Sequence, residues 1–289
     1  MPADIDALAR PSVGPVGVWR SEPDLSPALA IHLEALGFGA IWIGGSPAAG
    51  LTLAEELLDA TRSITVATGI VNIWNSDAVE LAASYNRIVA KHPGRFLLGI
   101  GAGHPESTGA IAEKPYGALV QYLDVLDDGG VPPHGRVLAA LGPRVLRLAR
   151  DRTAGAHPYL VTPEHTKRAR EILGAGPLLA PEQRVVLRSD PAEARAVGRP
   201  SVQKPYLGLV NYRNNLLRLG YTEQDLADGG SDALIDDLVV SGDDARIAAR
   251  LTEHLAAGAD HVAVQLLTAP GDDVEDGFTR IAQALGLHG

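Results

Sequence analysis

The stretch FLLGIGAG at residues 96–103 joins an apolar run to a cluster of glycines. An almost continuously apolar run of this length is typical of a strand that is covered on both faces of a parallel sheet. The glycines that follow indicate a tight turn at the end of the strand. We therefore predict a buried parallel strand here, with a loop of small residues at its carboxyl end.

The same order of an apolar run, a Gly, Pro or Ser break and a helical stretch recurs along the chain. The predicted strands lie near residues 14–19, 40–45, 64–73, 96–101, 136–141, 157–162, 178–188 and 261–267. Repeated strand–helix units build a parallel sheet, and about eight units favour a closed (β/α)8 TIM barrel. We predict a single α/β barrel domain over residues 1–289, with an open doubly wound sheet as the alternative.

Residues 199–241 interrupt this alternation. No clear strand is predicted between Gly198 and Gly242, whereas two helices are predicted near 206–219 and 222–238. We interpret 199–241 as a helical insertion between the seventh and eighth strands, a position from which it can cover the mouth of the barrel. A plain excursion of the outer helical layer is the alternative.

Composition excludes several classes of function. The chain has 25 Lys and Arg against 35 Asp and Glu, a net charge of −10, so it lacks the basic surface that nucleic-acid binding requires. No apolar run reaches the roughly 20 residues of a membrane helix, and residues 1–15 lack the pattern of a signal peptide. There are no cysteines, and the nine histidines show no zinc-binding spacing. We expect a cytoplasmic protein with no nucleic acid, membrane or metal partner.

Two turns of small residues are the candidate ligand-binding segments. In a barrel, functional groups collect at the carboxyl ends of strands, where Gly101-Ala102-Gly103 and Ala140-Leu141-Gly142 follow neighbouring strands. Glycine allows the backbone to approach an anion closely, so both turns can offer amides to one phosphate-bearing ligand. His104 occupies the position where a dinucleotide-binding fingerprint needs its third glycine, which disfavours classical dinucleotide binding at this motif. A simple structural turn remains the alternative for each segment.

Four other side chains are predicted near the same mouth. His104 lies in the loop after the fourth strand, where an imidazole can donate a proton, although a solvated loop histidine is the alternative. Trp19 and Trp74 follow the first and third strands, and Tyr159 lies at the end of the sixth. We predict that these three aromatic residues line a substrate pocket.

Several segments together resemble the luciferase-like monooxygenase superfamily. ATGIVNIW at 67–74 and HPGRFLLGIGAGH at 92–104 are similar to its central segment. Residues 138–166 and 256–267 resemble its F420-dependent oxidoreductase branch. The resemblance extends in the correct order from about Gly14 to Leu285.

The resemblance implies a barrel with an insertion that binds coenzyme F420, or alternatively FMN, at its mouth. Gly69-Ile70 would form the non-prolyl cis peptide that backs the tricyclic ring. The segments 101–103 and 140–142 would supply amides to the phosphate and ribityl chain. His104 stands where some members carry an acidic proton donor, and Gly44-Gly45-Ser46 replaces polar groups of some relatives, which implies a roomier pocket.

The implied activity is hydride transfer between C5 of the deazaflavin and a small organic substrate. With FMN, the alternative is a monooxygenase that acts on paired donors with molecular oxygen. A phosphate-binding aldolase or isomerase is disfavoured because Lys91, Lys114, Lys167 and Lys204 are predicted in helices or loops rather than at strand ends. A non-catalytic binding protein is the remaining alternative. Relatives often pair, so a homodimer is possible.

Overall fold

The computed structural model describes residues 10–103 and 114–288. The strands are β1 (Val16–Ser21), β2 (Ala40–Gly44), β3 (Thr65–Thr68), β4 (Val71–Asn72), β5 (Phe96–Gly101), β6 (Arg136–Leu138), β7 (Gly155–Ala156), β8 (Leu178–Leu179), β9 (Glu182–Val186), β10 (Val239–Ser241) and β11 (Val262–Leu266). The helices are α1 (Pro27–Ala35), α2 (Thr52–Ala60), α3 (Ala78–Lys91), α4 (Pro115–Asp128), α5 (Pro143–Arg152), α6 (Pro163–Leu173), α7 (Pro191–Gln203), α8 (Val210–Leu219), α9 (Glu223–Leu226), α10 (Asp232–Leu238), α11 (Asp244–Ala256) and α12 (Val274–Ala284).

All the strand pairings in the described residues are parallel. The strands follow the order β10-β9-β11-β1-β2-β3-β5-β6-β7-β8, with β4 beside β5. β8 and β9 are two parts of one stretch, interrupted at Ala180 and Pro181, and they pair with β7 and β11 respectively. Residues 178–186 thus pair with β7 through β8 and with β11 through β9, so the series of strand pairings closes at this stretch. This connectivity is that of a TIM barrel rather than of an open sheet.

Side-chain caps explain where several helices begin. Asp77 accepts hydrogen bonds from the backbone N–H groups of Val79 and Glu80, and Asp190 caps α7 in the same way. Ser26 accepts from the N–H of Leu29 at the start of α1. Such caps satisfy N–H groups that have no partner within the helix.

The space enclosed by the strands is filled by aromatic and small side chains. The Trp42 ring stacks on the His157 ring with centroids 4.1 Å apart, and its Nε1 donates to Nε2 of His261 at 2.9 Å. Leu97 and Ala263 belong to the same buried cluster. A larger apolar cluster lies between the strands and the surrounding helices. This filled space therefore leaves no room for a ligand between the strands themselves.

Three strand predictions need correction. The sixth strand is Gly155–Ala156 rather than 157–162, since Pro158 has no N–H to donate to a strand ladder. The third is divided into β3 and β4 at Gly69-Ile70. Residues 199–241 are not free of strands, because β10 pairs in parallel with β9.

The start of the predicted insertion also differs from the structure. Position 199 falls inside α7, which continues to Gln203 although it contains Pro200. The predicted helix at 222–238 is divided into α9, a short 3-10 turn and α10. No helix among the described residues has the length and apolar character that crossing a membrane requires.

Candidate functional site

A cavity of about 810 Å³ lies where the carboxyl ends of the strands converge. It brings together most of the residues that the sequence predicted. The predicted residues that line it are Trp19, Gly69, Ile70, Ala102, Gly103, Ala140, Leu141, Gly142 and Tyr159. Gly101 and Trp74 do not line it, and His104 lies outside the described residues. Residues of the two turns therefore line the same cavity as Gly69 and Ile70, which follow β3.

The backbone at the end of β3 is held from both sides. The peptide bond Gly69–Ile70 is cis, as the family resemblance implied. Trp19 Nε1 donates a hydrogen bond to the Gly69 carbonyl oxygen at 2.9 Å. On the other side, Thr68 Oγ1 donates to the Gly99 carbonyl and accepts from the Gly99 N–H. The backbone at residues 68–70 is consequently held by hydrogen bonds to Trp19 of β1 and Gly99 of β5.

The loop after β5 is packed against the segment 71–74. Gly103 has φ of +55°, and a Cβ there would lie 2.4 Å from Asn72 Nδ2, so only glycine fits. The Trp74 indole donates to the Ala102 carbonyl at 2.6 Å. The prediction that Trp74 lines the pocket is therefore not supported: its indole braces the loop from behind. Gly101 lies at the strand end, where a Cβ would lie 2.8 Å from Ala139 Cβ.

The second turn leads directly into α5. Gly142 is the N-cap residue, and Pro143 occupies the first turn of the helix. A Cβ on Gly142 would lie 3.8 Å from Arg218 Nη2, its nearest neighbour in the described structure, which is an ordinary contact. The protein therefore leaves this backbone open toward the cavity. A ligand group can approach it closely, and a helix N-terminus favours a negative charge there.

A tyrosine wall, formed by Tyr159, Tyr206 and Tyr212, borders another side of the cavity. The ring centroids of Tyr159 and Tyr206 are 5.6 Å apart, and those of Tyr206 and Tyr212 are 4.8 Å apart. The Trp19 ring lies 5.1 Å from that of Tyr159. Tyr206 and Tyr212 were not predicted, because neither a helical period nor a motif marks which side chains of residues 199–241 face the strands.

A buried cation stands behind the tyrosine wall. Arg184 is 2% exposed, and its Nη2 donates to the Tyr159 hydroxyl at 2.9 Å. Its guanidinium carbon lies 5.1 Å from the Tyr159 ring centroid and 4.9 Å from that of Tyr206. Glu182, fully buried, approaches Arg184 Nε at 3.7 Å. Burial raises the pKa of Glu182 to about 7, opposed by the charge of Arg184 and the Leu160 N–H.

Burial is the main cause of the pKa shifts of the lining residues His157 and Tyr159. Burial lowers the pKa of His157 to about 4, so this imidazole is neutral at pH 7. Its Nδ1 lies 2.6 Å from the Ala180 carbonyl oxygen and therefore carries the proton, while Nε2 has no partner in the described structure. Burial also raises the pKa of Tyr159 well above 10, so its hydroxyl stays protonated. Within residues 10–103 and 114–288, no group of three or more His, Asp or Glu is arranged to hold a metal ion.

Comparison with known proteins relates this geometry to a family. The model of the luciferase-like monooxygenase family matches residues 17–129. The same fold occurs in an F420-dependent secondary alcohol dehydrogenase in complex with an F420–acetone adduct, with 15% identity, a TM-score of 0.70, and coverage of 94% of this chain and 99% of that chain. A comparison with curated protein sequences found no match.

Two further solved structures share the fold. A coenzyme F420-dependent tetrahydromethanopterin reductase from Methanopyrus kandleri is 17% identical, with a TM-score of 0.67 over 94% of this chain and 98% of that chain. The oxygenating constituent of 3,6-diketocamphane monooxygenase from Pseudomonas putida, in complex with FMN, is 15% identical, with a TM-score of 0.66 over 95% of this chain and 96% of that chain. The chain is thus similar to the luciferase-like monooxygenase family over residues 17–129, and it shares the fold of these three structures along most of its length.

Proposed function

We propose that the cavity binds coenzyme F420, and that the protein is an oxidoreductase transferring a hydride between C5 of the deazaflavin and a small organic substrate. The charge of the lining carries this proposal. The chain has a net charge of −10, yet its described lining residues include no Asp or Glu and one cation, Lys204. Such a cavity favours an anionic ligand over the rest of this acidic surface. The phosphate-bearing tail of F420 meets that requirement.

The residues present fit both parts of the cofactor. The tricyclic ring would lie against Gly69-Ile70, beside the aromatic surface of Trp19. The anionic tail would take backbone amides from the turns 102–103 and 140–142, where Gly142 leaves the backbone open. Arg218, whose Nη2 approaches Gly142, adds positive charge near that turn. The fit thus rests on an open backbone and a matching charge.

The substrate would occupy the side of the cavity bordered by the tyrosine wall. When bound, F420 supplies the hydride chemistry at C5. The chain's own residues orient the cofactor, exclude water with aromatic rings and keep the phenols protonated. We propose His104 as the proton donor on its sequence position. We also propose that residues 199–241 act as an insertion covering the substrate side, because Lys204, Tyr206 and Tyr212 line the cavity.

FMN is the second candidate cofactor, with monooxygenation as the associated reaction. It is supported by the FMN complex among the structures of similar fold. A phosphate-bearing tricyclic ring places the same demands on the lining. The two cofactors therefore have to be distinguished by direct binding.

Fluorescence titration of the purified protein with F420 and FMN separately tests the proposal. We expect tighter binding of F420, followed by a change in F420 absorbance on mixing with a series of alcohols and ketones. Lys204→Met should weaken F420 binding by up to about fivefold, since this exposed charge contributes modestly. Lys167→Met removes another exposed lysine, one that lies outside the lining, and is the matched control. Binding of neither cofactor would refute the proposal.

The resemblance further leads us to propose a homodimer. Sedimentation velocity at several protein concentrations measures the assembly directly. A species of twice the 30.2 kDa chain mass is expected. A single species of the chain mass at all concentrations would contradict this part of the proposal.

A further inference from the structure

Gln265 is a polar side chain at the carboxyl end of β11, facing the inside of the sheet. Ala263, two residues earlier, packs with Trp42 and Leu97 in the enclosed cluster. Side chains two residues apart on a strand point to the same side, so Gln265 faces inward one layer higher. At that height the enclosed cluster ends, and Gln265 lines the cavity.

A chain of hydrogen bonds fixes the orientation of the Gln265 amide. Arg184 Nη2 donates to the Tyr159 hydroxyl at 2.9 Å, and that hydroxyl donates to Gln265 Oε1 at 2.8 Å. Both donors are directed the same way, so each bond polarises the next. Because Oε1 is the atom bound to Tyr159, the opposite side of the amide is its NH₂ group.

This NH₂ group has no hydrogen-bond acceptor in the part of the chain that the structure describes. Gln265 forms one side-chain hydrogen bond there, through Oε1. Its Nε2 is not fully buried, and the side chain lines the cavity, so Nε2 is accessible from there. The neighbouring wall is aromatic, and the adjacent cation Arg184 disfavours a second positive charge. The position is therefore suited to a group that accepts a hydrogen bond and carries no positive charge.

We propose that Gln265 Nε2 donates a hydrogen bond to the carbonyl oxygen of the substrate. The cavity would then select carbonyl compounds without a positive charge, whose apolar body packs on the tyrosine wall. Arg184 and Tyr159 are positioning residues in this arrangement, because they act through Gln265. This inference rests on the proposed function in one respect, namely that this side of the cavity holds the substrate. The contact itself requires only the cavity.

The test compares two probes of similar shape and opposite hydrogen-bonding character. Cyclohexanone accepts hydrogen bonds, whereas cyclohexylammonium only donates them. Calorimetric titrations use the protein loaded with whichever of F420 and FMN binds, and the cofactor-free protein in parallel. Wild-type protein should bind the ketone more tightly. Gln265→Glu, which replaces the donor with acceptors, should weaken ketone binding about tenfold and strengthen ammonium binding.

Two further variants separate this contact from general effects. Gln121→Glu introduces the same charge on the exposed face of α4 and should leave both affinities unchanged. Tyr159→Phe removes the hydroxyl that orients the amide, so its ketone affinity should fall by less than that of Gln265→Glu. The carbonyl stretching band of bound cyclohexanone should shift to lower wavenumber in wild-type protein and not in Gln265→Met.

The outcomes distinguish this inference from the proposed function. Unchanged ketone affinity in a folded Gln265→Glu protein, or a wild-type preference for the ammonium ion, would overturn the role of Gln265 whether or not a cofactor binds. Failure of both cofactors to bind would count against the proposed function alone. The ketone comparison in the cofactor-free protein would still decide the role of Gln265.

Discussion

The indole nitrogen of Trp19 donates a hydrogen bond to the carbonyl oxygen of Gly69, 50 positions away in the sequence, at 2.9 Å. Gly44 makes this arrangement possible. A Cβ at position 44 would lie 1.9 Å from Trp19 Cζ2. The absence of a side chain at Gly44 therefore makes space for the Trp19 ring, whereas the resemblance had suggested a roomier pocket. Gly45 and Ser46 do line the cavity.

Replacing Trp19 with Phe tests whether this bond shapes the cavity wall. We expect the free energy of unfolding to fall by about 1 kcal/mol from the lost hydrogen bond, with a further loss from the smaller ring. Cofactor affinity should also fall, since the Gly69 carbonyl is no longer held. Denaturant unfolding and fluorescence titration measure the two effects.

Trp74→Phe is the matched control for Trp19→Phe. It removes an indole donor of the same type from a ring that does not line the cavity, although its acceptor Ala102 does. A comparable loss of stability with a smaller loss of cofactor affinity is expected. Equal effects of both variants on cofactor affinity would contradict a specific role of Trp19 at the wall.

Gly142→Ala tests the open backbone at the start of α5. The added methyl group meets ordinary contact distances within the protein, so the melting temperature should change little. It would stand between the turn and a bound anionic group, so cofactor affinity should fall about tenfold or more if that contact forms. Equilibrium binding of the better-bound cofactor is the measurement.

Gly117→Ala provides the comparison for Gly142→Ala. Gly117 lies within α4, where an added Cβ meets nothing within 4 Å, and it is not a lining residue. This variant should gain up to about 1 kcal/mol of stability and keep its cofactor affinity. Unchanged affinity in Gly142→Ala as well would exclude the turn 140–142 from the binding surface.

The stability of the protein should fall on mild acidification. Burial lowers the pKa of His157, His165 and His261 to about 4 and that of His254 to about 3, from an ordinary value of 6.5. Between pH 6.5 and about 4 the unfolded chain thus binds protons that the folded protein excludes. Each histidine lowers the free energy of unfolding by about 1.4 kcal/mol per pH unit in that range.

Glu182 acts in the opposite direction, because its pKa is raised to about 7 from an ordinary 4.5. Its folded form takes up a proton between those values, which adds stability as the pH falls. One such group opposes four histidines, so the net effect is destabilising. Denaturant unfolding from pH 7 to 4.5 measures it. A free energy of unfolding that is constant or rises on acidification would disprove the assignment of neutral buried histidines.

His104→Ala tests the proposed proton donor. The histidine is assigned to proton transfer rather than to cofactor binding, so cofactor affinity should remain and turnover should fall by about 100-fold or more. Turnover is measured across pH together with the cofactor titration. Turnover equal to that of the wild type at every pH would remove His104 from the reaction.

Much of the fold was predictable because buried parallel strands are locally apolar. The strands predicted at 96–101 and 40–45 were recognised from their apolar composition alone, and β5 and β2 lie there. β10 was missed because three residues carry no distinct pattern, and its pairing with β9 is decided by tertiary contact. The position of β7 was predicted too far along the chain. The apolar residues after Pro158 resemble a strand, although the hydrogen-bonded strand pairing ends before them.

The site was predictable where backbone chemistry determines it. Glycine turns at strand ends indicated a shared cavity, and 102–103 and 140–142 do line one. Arg184 was not recognised, because a charged residue in a predicted buried strand gives no indication of its partners. Its contacts with Tyr159 and Tyr206 join parts of the chain that only the folded structure brings together.

A crystal structure of the protein with bound F420 tests the central claim most directly. We expect the tricyclic ring against Gly69-Ile70 and the phosphate at the backbone of residues 140–142. A ring located away from residues 69–70, or a phosphate bound outside both turns, would contradict the account.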